Sequence, residues 1–129
     1  MGRPRCTSMS SDPFVVAWKE APEKELVPGI RARVVHGDQL SLSLVEIDPD
    51  ADLPAHDHPN EQAGWVLDGE LHFTVEGEPH TVRTGEAYLL RGGVKHGARA
   101  GPQGCRVLDV FAPVRSDYEG LVWAAGRKG

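Results

Sequence analysis

Trp65-Val-Leu-Asp-Gly-Glu-Leu-His-Phe-Thr-Val-Glu-Gly-Glu-Pro-His-Thr-Val82 is the stretch on which the fold turns. Through Glu70-Leu-His-Phe-Thr-Val75 apolar and polar side chains alternate, the period of a half-buried strand. Asp68-Gly69 and Glu76-Gly77 interrupt the alternation, and each offers a glycine where a tight turn asks for positive φ. Short antiparallel strands over 65–67, 70–75 and 80–82, joined by turns at both glycines, are therefore expected.

Working outward toward the N-terminus, Leu40-Ser-Leu-Ser-Leu44 alternates strictly, with leucines on one face of a half-buried strand and serines on the other. Ile30-Arg-Ala-Arg-Val-Val35 alternates too, ahead of a turn at His36-Gly37-Asp38. Phe14-Val-Val-Ala-Trp18 reads as a strand, and the stretch from Pro22 to Pro28 as a connection. Toward the C-terminus, Thr84-Gly85-Glu86 turns into Ala87-Tyr-Leu-Leu90, Gly92-Gly93 turns again, and Arg106-Val-Leu-Asp-Val-Phe111 is a strong last strand. Roughly eight or nine short strands at spacings of about 8–12 residues call for a sandwich or barrel. The expected organisation is a flexible arm over 1–13, one all-β barrel over 14–118, and a tail over 119–129. A short helix is expected near 118–125, stopped by Gly126.

Composition narrows the function classes. The 129 residues suit one hydrophobic core. A net charge of -5 gives no positive field to gather a nucleic acid backbone. Cys6 and Cys105 are too few and too far apart for a disulfide scaffold, which fits a reducing cytoplasm. The opening MGRPRCTSMS has arginines but no apolar run after them, unlike a secretory signal, and nothing reads as a membrane span.

His56 and His58 are one residue apart, so on an extended segment both imidazoles face one side. Gln62 follows, and His96 lies beyond further hairpins, just after the Gly92-Gly93 turn, where a closed barrel can return it to the first pair. Three imidazoles and an amide oxygen suit one divalent transition ion such as Mn, Fe, Co, Ni or Zn, with positions left for water or substrate. An isolated His-x-His pair would be as readily a pair of surface loop histidines, but here the second cluster, Gly85, Arg91, Gly93 and His96, accompanies it.

Together these clusters, over residues 52–98, resemble the paired motifs of the cupin superfamily, one centred on His-x-His and the other on Gly-x-x-His. The resemblance implies a double-stranded β-helix, or jelly-roll barrel, with Gln62 rather than Glu61 aligned as the third ligand. Val107-Leu-Asp-Val-Phe-Ala-Pro-Val-Arg-Ser-Asp-Tyr118 is similar to the ending of the small pectin-degradation (KdgF) cupins, which are implicated in opening unsaturated monouronates. In that family an aspartate, a phenylalanine and an arginine at this spacing line the metal pocket. The matching positions are Asp109, Phe111 and Arg115, and alternation puts Asp109 and Phe111 on one strand face. Arg91 stands where proline is usual and Asn60 where histidine is frequent.

What the resemblance implies is a metal-dependent enzyme of isomerase or lyase type for a carboxylate-bearing sugar, in which the metal orients substrate, Asp109 moves a proton, Arg115 pairs with the carboxylate and Phe111 shapes the wall. Two rivals keep the same barrel: a metal-dependent dioxygenase of a diketone or phenol, and a cupin that binds a small molecule without turning it over. A homodimer is also expected, paired through edge strands such as Phe14 to Trp18. His36, His72 and His80 are expected to be surface or structural residues, and Trp65, Phe73 and Tyr88 barrel lining or dimer contacts.

Overall fold

The computed structural model describes residues 14–123. Nine strands follow a 3-10 turn at Trp18–Glu20: β1 (Glu23–Val27), β2 (Ile30–His36), β3 (Ser41–Ile47), β4 (Asp52–His56), β5 (Glu61–Val75), β6 (Glu78–Arg83), β7 (Ala87–Leu90), β8 (His96–Ala112) and β9 (Leu121–Val122). They form one sheet in the order β1-β2-β3-β8-β5-β6, with β4 on β8, β7 on β5 and β9 on β2. All pairings but the parallel β2–β9 contact are antiparallel. The expected all-β jelly-roll is the observed architecture.

Two long strands organise it. β8 runs against β5 from Val75↔His96 at one end to Glu61↔Ala112 at the other, while β3 flanks its C-terminal half and β4 its N-terminal half. Both long strands change phase midway. On β5 the buried positions are even as far as Val66 and odd from Leu71; on β8 they are even at His96 and Ala100 and odd from Cys105. The change occurs where register shifts on either side of the Gly69↔Cys105 pair: one extra residue on β5 between Val66 and Asp68, and three on β8 between Ala100 and Cys105, bend the strands and keep one face inward on both walls.

Gly69 is therefore a bulge inside a continuous strand, and the turn expected at Asp68-Gly69 is absent. Its φ is +100°, and a Cβ there would lie 2.3 Å from the Gly104 carbonyl oxygen, so both backbone angle and close approach demand glycine. The Glu76-Gly77 turn, by contrast, connects β5 to β6 as expected.

Three other expectations are corrected. The stretch between Pro22 and Pro28 is the edge strand β1, closed onto β2 by Pro28-Gly29 with Gly29 at φ +85°, the proline-glycine order that a two-residue turn favours. Phe14 to Trp18, expected as a strand and as a dimer edge, makes no strand and leads instead into the 3-10 turn at Trp18–Glu20. Within the described residues, Leu121–Val122 pairs with β2 where a helix was expected. The arm over 1–13 and the residues 124–129, with the Gly126 stop, lie outside the described residues.

Ile30, Val66, Leu71 and Val107 are fully buried, each contributing about 1.5–3 kcal/mol of hydrophobic stabilisation. β3 departs from simple amphipathicity. Ser41 and Ser43 face the interior and Leu42 and Leu44 the outside, so one end of the barrel interior is polar. That end holds the candidate site. No helix among the described residues is long and apolar enough to cross a membrane.

Candidate metal centre

His56 and His96 form a cross-strand pair between β4 and β8, with ring centroids 4.5 Å apart. His58 lies just past the end of β4, so alternation does not aim it. Its ring is held by its own loop, where Nδ1 donates to the Asn60 carbonyl oxygen at 3.1 Å. His56 Nδ1 donates to the Pro54 carbonyl at 3.0 Å and His96 Nδ1 to the Val94 carbonyl at 2.8 Å. A carbonyl only accepts, so all three rings carry their proton on Nδ1 and leave a lone pair on Nε2. One ligand atom from each histidine falls within a 4.8 Å cluster.

Gln62 joins this cluster from β5. Its Oε1 is 3.0 Å from His58 Nε2, and its Nε2 donates to Asp109 Oδ1 at 3.0 Å. The carboxylate accepts from the amide nitrogen and so turns the amide oxygen toward the histidines. Two acceptors 3.0 Å apart share no proton; that is the separation of two donors at right angles on an ion with bonds of about 2.1 Å. His96 Nε2 is buried with no hydrogen-bond partner. An orphaned lone pair, three parallel tautomers and an acceptor–acceptor contact all fit a divalent cation held by His56, His58, His96 and Gln62.

Burial, reinforced by the Arg115 charge, lowers the His58 pKa, and burial is the main cause of the lowered His96 pKa. Both rings are thereby kept in the neutral form that a metal requires. Asp109, on β8, is buried and its pKa is pushed up to about 6 by burial, against the hydrogen bonds from Tyr88 and Gln62. Tyr88 donates its hydroxyl to Asp109 Oδ1 at 2.7 Å.

One wall of the pocket is aromatic and cationic. The Arg115 guanidinium carbon lies 4.8 Å from the Phe111 ring centroid and 3.9 Å from that of Tyr118, while Nε and Nη2 form a bidentate pair with Asp117, each at 2.9 Å. Nη1 is buried and unpartnered. The cavity is lined by His56, Gln62, Tyr88, His96, Asp109 and Phe111 together with Arg115 and Tyr118. The arrangement can bind an anion at Arg115 while offering a titratable carboxyl beside the metal position.

Several residues support the site through contacts that the sequence did not indicate. Asn60, buried, holds His58 through its carbonyl and donates its side-chain amide to the Pro113 and Val114 carbonyls at 2.6 and 3.3 Å, tying the first cluster to the segment that carries Arg115. Ser41 Oγ accepts from the Arg115 backbone N–H at 2.9 Å and donates to His36 Nδ1 at 2.7 Å, and His36 Nε2 donates to the Tyr118 carbonyl at 2.9 Å. His36 is thus structural, as expected. Tyr88 lines the site, and its cross-strand partner is Gly64. Trp65 and Leu89 lie on the outer face, 53% and 76% exposed. Arg91 is exposed and does not line the pocket.

Residues 43–111 match the family model described as "Cupin domain". Among solved structures, KdgF from Halomonas sp. is 30% identical, with 74% of this chain and 89% of that one covered at a TM-score of 0.70. An RmlC-like cupin from Shewanella frigidimarina is 23% identical, with 82% and 96% covered at 0.75. Bacillus subtilis oxalate decarboxylase, solved in a study of its Mn(II) centres, is 20% identical at a TM-score of 0.67; 74% of this chain matches 28% of that longer one. Likeness to the latter two shows the fold alone. No curated protein matches the chain.

Proposed function

Because the chain belongs to the cupin family and is similar to KdgF, we propose that it is a metal-dependent isomerase that opens and linearises an unsaturated uronate or a related small sugar acid. The observation that carries this is the meeting, in one pocket, of a four-donor cluster, a buried Asp109 and an Arg115 with an unpartnered Nη1. His56, His58, Gln62 and His96 hold one divalent ion, with manganese, iron, cobalt, nickel and zinc all compatible with the donors. When bound, that ion polarises a substrate oxygen as a Lewis acid, more strongly with a neutral amide than with a carboxylate in the ligand set.

Arg115 Nη1 takes the substrate carboxylate, and the Phe111 and Tyr118 rings fix the guanidinium plane that receives it. Ring opening breaks the anomeric carbon–ring oxygen bond, the anomeric hydroxyl losing its proton as it becomes an aldehyde and the ring oxygen gaining one as an enol hydroxyl. Asp109, with its pKa near 6, then accepts the enol proton and returns one to the adjacent carbon, converting enol to ketone. Phe111 closes the wall beside the ring. The chain acts as a homodimer in this reading, which mass measurement in solution tests.

The assay is the decay of the unsaturated-uronate ultraviolet absorbance on adding metal-loaded protein. Faster decay than in the protein-free reaction is expected; an unchanged rate at saturating metal rejects the substrate class. Oxygen uptake with a diketone or phenol would instead favour dioxygenase chemistry.

A further inference from the structure

Tyr88 has no place in the mechanism above, yet it makes one of the shortest side-chain contacts in the site, 2.7 Å from its hydroxyl to Asp109 Oδ1. Its ring reaches that position across Gly64: a Cβ on residue 64 would lie 2.0 Å from the tyrosine Cζ. The ring also packs on Phe73, centroid to centroid 4.5 Å. A glycine gap, an aromatic neighbour and a hydrogen bond therefore fix Tyr88 in one pose.

The hydrogen bond has a second consequence. Gln62 Nε2 also donates to Oδ1, at 3.0 Å. Both donors use one oxygen of the Asp109 carboxyl, so the position of that oxygen decides which end of the Gln62 amide faces the histidines. A carboxamide can turn over by half a rotation, and only its oxygen is a metal donor; its NH2 group would oppose a cation.

We propose that Tyr88 is a positioning residue for the metal centre: it anchors Asp109 Oδ1, which grips the Gln62 amide nitrogen and thereby presents Gln62 Oε1 to the ion. The relay runs from Tyr88 through Asp109 to Gln62, and its purpose is to give an ambivalent side chain one orientation. The inference rests on the metal site proposed above.

The test uses the full chain, stripped of metal and titrated with Co2+, whose visible absorption reports the ligand field. Tyr88→Phe keeps the ring and removes only the hydroxyl. It is expected to weaken Co2+ binding about tenfold and to shift the visible bands, as loss of an outer partner of a ligand does. Gln62→Ala is expected to weaken binding by a similar or larger factor. In the Gln62→Ala background Tyr88→Phe should then have no further effect, because nothing is left to orient.

Unaltered affinity and bands in Tyr88→Phe overturn the proposal. So does an equal fold-loss with and without Gln62, which would mean that Tyr88 acts by another route. If Tyr88→Phe fails to fold, Asp109→Leu replaces it in the same double-mutant comparison, with the same expectations. Turnover is a separate readout. An inactive wild type with the expected Co2+ behaviour defeats the uronate assignment alone, whereas an active wild type with an unmoved Tyr88→Phe defeats this inference alone.

Discussion

His58 Nε2 and Gln62 Oε1 stand 3.0 Å apart, and neither has a proton to offer the other. The His58 proton is on Nδ1, committed to the Asn60 carbonyl, and the Gln62 amide hydrogens face Asp109. Left alone, two lone pairs at this distance repel. A cation would turn the repulsion into shared coordination, so under the proposed reading the pair is part of a ligand set whose cost metal binding would relieve.

His96→Ala should abolish stoichiometric metal binding. The substitution removes the buried Nε2 that has no other partner and opens the cluster on the β8 side. Elemental analysis of purified protein checks this; wild-type metal content in the variant would show that the ion, if any, binds elsewhere.

Asp109 gives metal-free protein a predictable pH signature. Its folded pKa of about 6 lies above the ordinary 3.8, so the ionised form is a burden on the folded state at neutral pH. That burden lightens as pH falls through 6 toward 3.8, where the folded state takes up its proton first. Asp109→Asn does not titrate and keeps an Oδ1 acceptor. In chelator it should be about 1–3 kcal/mol more stable than wild type at neutral pH, with the gap closing below pH 6. Urea melts across that range decide it, and a gap that widens on acidification refutes the sign.

Arg115→Lys should raise KM for a uronate about tenfold or more while changing kcat less, since a single ammonium cannot hold Asp117 in a bidentate pair and also present a separate donor to the substrate as Nη1 does. Steady-state kinetics at saturating metal provide the check. Equal KM values would remove Arg115 from substrate binding.

Two glycine substitutions should separate backbone angle from crowding. Gly77, at φ +83° with open space around its absent Cβ, should cost about 1–2 kcal/mol as alanine. Gly69→Ala must meet a comparable angle and also a backbone oxygen at 2.3 Å, so it should be the more damaging of the two by chemical denaturation. Equal losses would mean that the bulge can relax.

The sequence made the strands visible wherever alternation was unbroken, as in β2 and β3, and hid them where phase changed. The Asp68-Gly69 step looks like a turn because an extra residue interrupts the period, and period two cannot distinguish a bulge from a reversal. β1 was obscured by its flanking prolines, which an edge strand tolerates. Which face of β3 points inward was also illegible from pattern: burying Ser41 makes sense only once Arg115 and His36 stand beside it. At the site, residue type and spacing singled out His56, His58, Gln62 and His96, while Asp109, Phe111 and Arg115 were marked only by the resemblance to the pectin-degradation cupins; the fold brings all seven to one pocket or its edge. Tyr88 and Asn60 could not be chosen in advance, because their importance lies in which atoms they meet across strands.

The bend shared by β5 and β8 makes those strands work as a pair of callipers. His96 and Asp109 belong to the same strand, on opposite sides of the Gly104 corner, and both point into one chamber. Inserting or deleting one residue at that corner would reverse the facing of one jaw relative to the other, turning either the histidine or the acid outward while leaving the strand itself paired. The separation of His96 from Asp109 is thus gauged by the curvature of the barrel wall, and tolerance to length change should be lowest at this corner, which packs against the turn between β3 and β4.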